Sequence, residues 1–194
     1  MNWLEWVAAG LGLINVALVV RRSVWNYPFG LAMVSLYFVV FAEARLYSDA
    51  LLQVFFFVVQ LYGWHNWVRA KAETGEVPVG LMTARERVRW GMATLVASLA
   101  WGLAMARFTD AAAPIADAGV AGFSIAAQLL MARRRLENWV VWIGVDIVAI
   151  GLYASRGLTL TAGLYFLFLL LATAGFFEWR RALRAQPNIR SVFA

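Results

Sequence analysis

The chain contains no cysteine. That absence removes disulfides, thiolate metal ligands and cysteine nucleophiles together, and it leaves the redox compartment unreadable. Histidine occurs once, as His65 beside the end of an apolar run, where it fits an interfacial residue better than a catalytic or metal-binding one. Lysine also occurs once, as Lys71 in a polar stretch. A retinal protein needs a lysine inside a helix to form its Schiff base, so that class is excluded. There is no glycine-flanked serine of the nucleophile-elbow kind and no phosphate-cradling glycine loop. The inventory for an enzyme is therefore bare, and neither a cofactor nor a metal is expected. Charge is scarce as well, at 14% of residues against roughly 25% in soluble domains.

What is present is apolar. Hydrophobic residues make up 63% of the 194 positions, and the mean hydropathy is +0.70, which predicts an all-α integral membrane protein. Seven apolar runs can be marked, over residues 3–20, 25–42, 50–68, 90–106, 113–132, 138–155 and 158–177. Each lies near the ~17–25 residues that a spanning helix requires. The first has no basic leader, carries Glu5 early and is followed by further spans, so it is predicted to be a retained helix and not a cleaved signal. The connections are short except for Arg69 to Arg89, which is predicted to be a solvated linker. The net charge of +6 comes from arginine clusters at the ends of apolar runs, a pattern that orients helices and does not point to nucleic acid. Placed on alternate sides of seven spans, all 17 basic residues except Arg45, Arg107 and Arg156 fall on one side. By the positive-inside rule that side is cytoplasmic, with the N-terminus outside and the C-terminus inside.

The chain is also written twice. With an offset of 112 positions, Gly10 falls on Gly122, Arg21 and Arg22 on Arg133 and Arg134, Asn26 on Asn138, Ala42 on Ala154, Leu46 on Leu158, Ala50 on Ala162, Gly63 on Gly175 and Trp67 on Trp179. The offset groups the helices as three, one and three, the fourth inverting the chain so that both triplets run the same way. The expected units are residues 1–68, a linker with the inverting helix over 69–110, a second triplet over 111–180 and a tail over 181–194. Parallel repeats of this kind hold a solute near the midplane, where the halves meet, and move by rocking.

One acid, Asp146, sits deep in an apolar run. A carboxylate at that depth costs about 2.5–3.5 kcal/mol on insertion scales and faces a bundle interior or a wet cavity. Asn138, Trp142 and Asp146 recur every four residues, so one helix face carries an amide, a flat ring and an anion. In the third run Gln53, Phe57, Gln60 and Trp64 recur at four, three and four, giving two amides and two rings on one face. Thr161, Tyr165 and Phe168 make a shorter stripe in the last run. Together these surfaces suit a small, flat, polar or cationic organic solute. Trp3, Trp6, Trp25, Trp64, Trp67, Trp90, Trp139 and Trp179 lie near run ends, where tryptophan belongs to the interfacial belt; only Trp64 and the more interior Trp142 are candidates to stack on a ligand. Gly63 and Gly175 are predicted close-packing positions.

Two segments carry a family likeness. Tyr47-Ser48-Asp49-Ala50-Leu51-Leu52-Gln53-Val54-Phe55-Phe56-Phe57, running on to Tyr62-Gly63-Trp64, and Leu136-Glu137-Asn138-Trp139, running on to Trp142, together resemble the PnuC-type nicotinamide riboside transporters. The likeness extends over nearly the whole chain and is weakest in the linker and the fourth helix. The resemblance implies a SWEET-like three-one-three fold and a trimer in the bacterial inner membrane. It also implies facilitated diffusion of nicotinamide riboside, trapped inside by cytoplasmic phosphorylation. Relatives are associated with thiamine or riboflavin too, so thiamine stays open; riboflavin, larger and neutral, gains less from a buried acid. A non-transporting membrane component of the same fold is the alternative of another class.

Overall fold

The structure, a computed structural model, describes residues 3–43, 47–109 and 113–186, with the side chains of residues 47 and 48 left out. Arg45, Leu46 and the tail beyond Gln186 lie outside the described residues. Seven α-helices follow the apolar runs: α1 (Trp3–Val20), α2 (Asn26–Glu43), α3 (Tyr47–Thr74), α4 (Ala84–Phe108), α5 (Pro114–Ala132), α6 (Glu137–Ser155) and α7 (Thr159–Ala185). Local chemistry sets their ends. Thr83 and Glu86 close a reciprocal capping box at the start of α4, and Pro114 opens α5 at a position where its missing N–H costs nothing. All but α3 are long and apolar enough to cross a membrane. At 28 residues α3 is about 42 Å long, but its amides, His65 and basic end dilute its apolarity.

Two expectations change here. Arg69–Arg89 is not one solvated linker, because α3 continues to Thr74 and α4 begins at Ala84. The remaining connection, residues 75–83, is tucked in: Val77, Val79 and Met82 are buried. Its backbone bridges to the α5–α6 turn through Gly80 N–H to the Arg134 carbonyl (3.0 Å) and Leu136 N–H to the Gly80 carbonyl (2.9 Å). Of Val77-Pro78-Val79-Gly80-Leu81-Met82, every residue but Leu81 is buried. Likewise α7 runs on to Ala185, into the stretch expected as tail. The second change concerns tryptophan. Trp3, Trp6 and Trp25 are exposed, but Trp67, Trp139 and Trp179 are fully buried and form the heart of the core with Tyr27.

The packing order is a closed ring. Among the described residues α1 packs on α2 and α7, α2 on α3, α3 on α5, α5 on α6 and α6 on α7, while the α4 backbone packs on α5 alone and reaches α6 by the Arg87–Glu137 ion pair. Six helices thus enclose an interior and α4 stands outside. Within the ring, positions 112 apart repeat one another in detail. Arg22 (φ 55°) and Arg134 (φ 59°) both take the left-handed conformation just past α1 and α5. Asn26 Nδ2 donates to the Ser23 carbonyl and Asn138 Nδ2 to the Arg135 carbonyl, each at 2.6 Å. The Tyr27 and Trp67 rings meet edge-on at 5.5 Å and 89°, as do those of Trp139 and Trp179. Gly63 lies against the Tyr27 ring and Gly175 against that of Trp139, so both glycines are close-packing positions as predicted. Two bonds cross between the halves: Trp67 Nε1 donates to the Met131 carbonyl and Trp179 Nε1 to the Val19 carbonyl, both at 3.1 Å. Each indole thereby adds a second donor to a helix-end carbonyl that also accepts a backbone N–H, from Arg134 at Met131 and from Arg22 at Val19.

Candidate functional site

In an apolar bundle polar side chains escape lipid by turning inward between packed helices. Buried there are Asn15 of α1, Asn26 of α2, Gln60 of α3, Gln128 of α5, and Asn138 and Asp146 of α6. Asn15 Nδ2 donates to the Asn26 carbonyl at 2.7 Å. Gly30 of α2 opens the space between two amides: a methyl group there would overlap the Gln60 carboxamide oxygen and approach Asn15 Nδ2 to 2.7 Å. The position 112 beyond Gly30 is Trp142, and those beyond Asn15 and Gln60 are Ala127 and Ala172, both buried. The first half therefore faces glycine with two amides, and the second faces a large ring with two methyls. Val34 stands where the other half has Asp146.

Asp146 is 3% exposed. It has no arginine partner and no hydrogen bond among the described residues. It lies within electrostatic reach of Tyr165 of α7. The Tyr153 and Tyr165 rings are 5.2 Å apart and the Tyr165 and Phe168 rings 6.0 Å apart. Phe168 reaches Gly12 of α1, where Met33 of α2 also arrives. Two helices, α6 and α7, thus supply the aromatic rings, and α1 and α2 meet them at Gly12 and Met33.

The other expected site residues fall in distinct places. Trp64 is half-buried and stacks on Tyr27 at 6.4 Å and 7°. Trp142 is half-buried against the aromatic core. Asn138 spends its amide N–H on the α5–α6 turn, and its Oδ1 is buried without a partner. Gln53 is half-buried, and Phe57, 37% exposed, stands apart from the buried set. None of the eight lines the groove of about 470 Å³ formed by α4, α5 and α6. The sequence reading missed Asn15, Gly30 and Tyr153. Asn15 had a signal, being the one amide inside the first run; Gly30 and Tyr153 had none that a single sequence shows.

A ring of apolar helices closed around amides, one carboxylate and aromatic rings is the build of a membrane transporter for a small organic solute. The chain belongs to the PnuC-type family: a family model described as nicotinamide mononucleotide transporter matches residues 2–181. It is 28% identical to the nicotinamide riboside transporter PnuC of Escherichia coli K12, over 97% of this chain and 89% of that protein. It is 31% identical to PnuC of Neisseria mucosa, over 96% and 75%. It is also 31% identical to the riboflavin/roseoflavin transporter RibM of Streptomyces davaonensis, over 98% and 89%. The crystal structure of a vitamin B3 transporter PnuC superposes with a TM-score of 0.78 at 30% identity, covering 94% of this chain and 83% of that one. The family likeness drawn from residues 47–64 and 136–142 is borne out.

Proposed function

We propose that this chain carries nicotinamide riboside across the membrane by facilitated diffusion. Seven spans, arranged as parallel triplets with α4 between them, would rock about the central site. The observation that carries the reading is Asp146, a buried carboxylate without a cationic partner on the face that bears Trp142. Nicotinamide riboside brings a flat pyridinium, whose charge Asp146 balances while Trp142, with Trp64 across the ring of helices, stacks on its face. Gln53 and Gln60 meet the amide and ribose hydroxyls, Asn138 offers Oδ1 as an acceptor, and Phe57 and Tyr165 complete the aromatic lining. The names of three relatives, from Escherichia coli, Neisseria mucosa and Haemophilus influenzae, support this solute. Phosphorylation in the cytoplasm then traps the solute. The N-terminus is outside, the C-terminus is cytoplasmic, the membrane is the bacterial inner one and the assembly is a trimer.

A second reading rests on RibM, which is as similar as the Neisseria relative and is named for riboflavin. Thiamine, whose thiazolium also asks for an anion, is the third solute to try. A binding titration of the purified protein against all three separates them. The expected result is saturable binding of nicotinamide riboside, weakened at least tenfold by Asp146→Asn, equivalent to about 1.4 kcal/mol. Riboflavin binding that the substitution leaves unchanged, with no response to nicotinamide riboside, would overturn the first reading in favour of the second. No binding and no flux in proteoliposomes would mark a non-transporting component.

A further inference from the structure

Outside the ring, α4, α5, α6 and the 77–82 segment leave a groove of about 470 Å³ at the arginine-rich end of the bundle. Phe123, Ala126 and Leu130 of α5, Val140 and Val141 of α6 and Phe176 of α7 make its walls, while Trp90 and Arg87 of α4 stand with Glu137 at its rim. Arg133 stacks over the Trp90 ring at 5.4 Å. Arg87 is held by Glu137 at 2.8 Å, so that carboxylate cancels one charge only. Arg135 lies 3.8 Å from Glu86, and Arg85 and Arg89 line a shallow hollow on the neighbouring surface of α4. Arg87 and Glu137 line the groove itself, Arg133 reaches its edge over Trp90, and Arg85 and Arg89 belong to the adjoining hollow, so five arginines against two glutamates leave this end a positive excess beside an apolar slot.

We propose that this groove is a binding site for an anionic phospholipid of the surrounding bilayer. One acyl chain lies along Phe123, Val140 and Phe176, and the phosphate rests on Arg133, Arg87 and Arg89. Charge decides the occupant: an apolar slot alone would take any lipid tail, whereas a slot capped by unbalanced guanidinium groups selects a headgroup of net negative charge. Trp90 lies at the depth where a ring bridges acyl chain and headgroup, and it fixes Arg133 there. The site is independent of the transported solute. Its occupant would add to the Arg87–Glu137 ion pair in bracing α4, whose backbone packs only along α5, against α6 and the 77–82 segment.

The slot and the charge can be removed separately. Gly91 lines the groove, and a side chain added there meets nothing within 4 Å, so Gly91→Leu fills the slot without disturbing the helix or the arginines. Arg89→Gln with Arg133→Gln removes two exposed charges and leaves the slot. The purified protein is equilibrated with equal amounts of phosphatidylglycerol and phosphatidylcholine, and retained lipid is counted by native mass spectrometry. Wild type is expected to keep phosphatidylglycerol over phosphatidylcholine by at least fivefold. Gly91→Leu should lose both lipids, and the double-glutamine protein should lose the preference alone. Variants enter the comparison only with unchanged helical circular dichroism, and their elution is recorded as a separate readout of assembly size. Equal retention of the two lipids by wild type, or undiminished phosphatidylglycerol on either variant, would overturn the proposal. A smaller assembly on Gly91→Leu with lipid retention unchanged would overturn it too, and would assign the groove to a second copy of the chain.

Discussion

Glycine is the residue whose role here is easiest to measure. A methyl group at Gly175 would sit 2.5–2.6 Å from three atoms of the Trp139 ring, which is fully buried and pinned edge-on by Trp179. The ring cannot give way as a flexible chain end would. Gly175→Ala should therefore destabilise the protein by about 1–3 kcal/mol, the usual range for overpacking. Gly151→Ala, where the added atom meets nothing within 4 Å, serves as the control and should be neutral or slightly stabilising. Thermal unfolding in detergent reads both; an equal loss of stability for the two would contradict the packing described. Gly30→Ala is a different case, because the displaced atoms are the amide ends of Gln60 and Asn15. Its expected effect is on solute binding more than on folding.

Among the elements, the third and seventh helices are tied to the ends of the fifth and first by the two crossing indole bonds. Phenylalanine keeps most of the ring and removes the donor, leaving a buried carbonyl without that partner. Trp67→Phe and Trp179→Phe should each cost about 1–2 kcal/mol, and by similar amounts, since the two environments match. A loss at one position alone would show that the likeness of the two halves stops short of energetics. The 75–83 connection makes a second test. Arg22 Nη1 donates to the Val77 carbonyl at 2.9 Å and Arg135 Nη1 to the Leu81 carbonyl at 2.7 Å, in addition to the backbone bridge through Gly80. Hydrogen exchange at Gly80 and Leu136 should be as slow as in a helix, whereas a solvated linker would exchange freely.

For the molecule as a whole, the absence of native cysteine makes sidedness directly measurable. Lys71, near the exposed end of α3, and Leu158, in the α6–α7 turn, lie on opposite sides of the proposed topology. In intact cells a membrane-impermeant maleimide should label Leu158→Cys, and should reach Lys71→Cys only after permeabilisation. The reverse pattern would invert the orientation drawn from the arginines. Near the sparse end, Arg156 holds both oxygens of Asp117 at 2.9 and 3.0 Å, joining the start of α5 to the α6–α7 turn. The bond to Asp117 raises the Arg156 pKa above its ordinary value, so the arginine stays charged at any physiological pH.

Number and order of the helices were legible in the sequence, because each depends only on an unbroken apolar run; length was less so, since α3, α4 and α7 extend past their apolar runs into polar residues. The offset of 112 was legible too, and it placed Trp67 with Trp179 and Gly63 with Gly175 before any contact was known. Burial was not. In a bilayer the lipid and the protein interior are equally apolar, so a helix that is hydrophobic all round does not announce which face turns inward. That is why Trp67, Trp139 and Trp179 read as interfacial although they form the core, and why Phe57 and Gln60, three residues apart on one stripe, end with different exposure. The inward turn of 77–82, the meeting of Asn15 and Gln60 over Gly30, and the position of α4 outside the ring arise only when distant segments pack. Tertiary structure alone decided those.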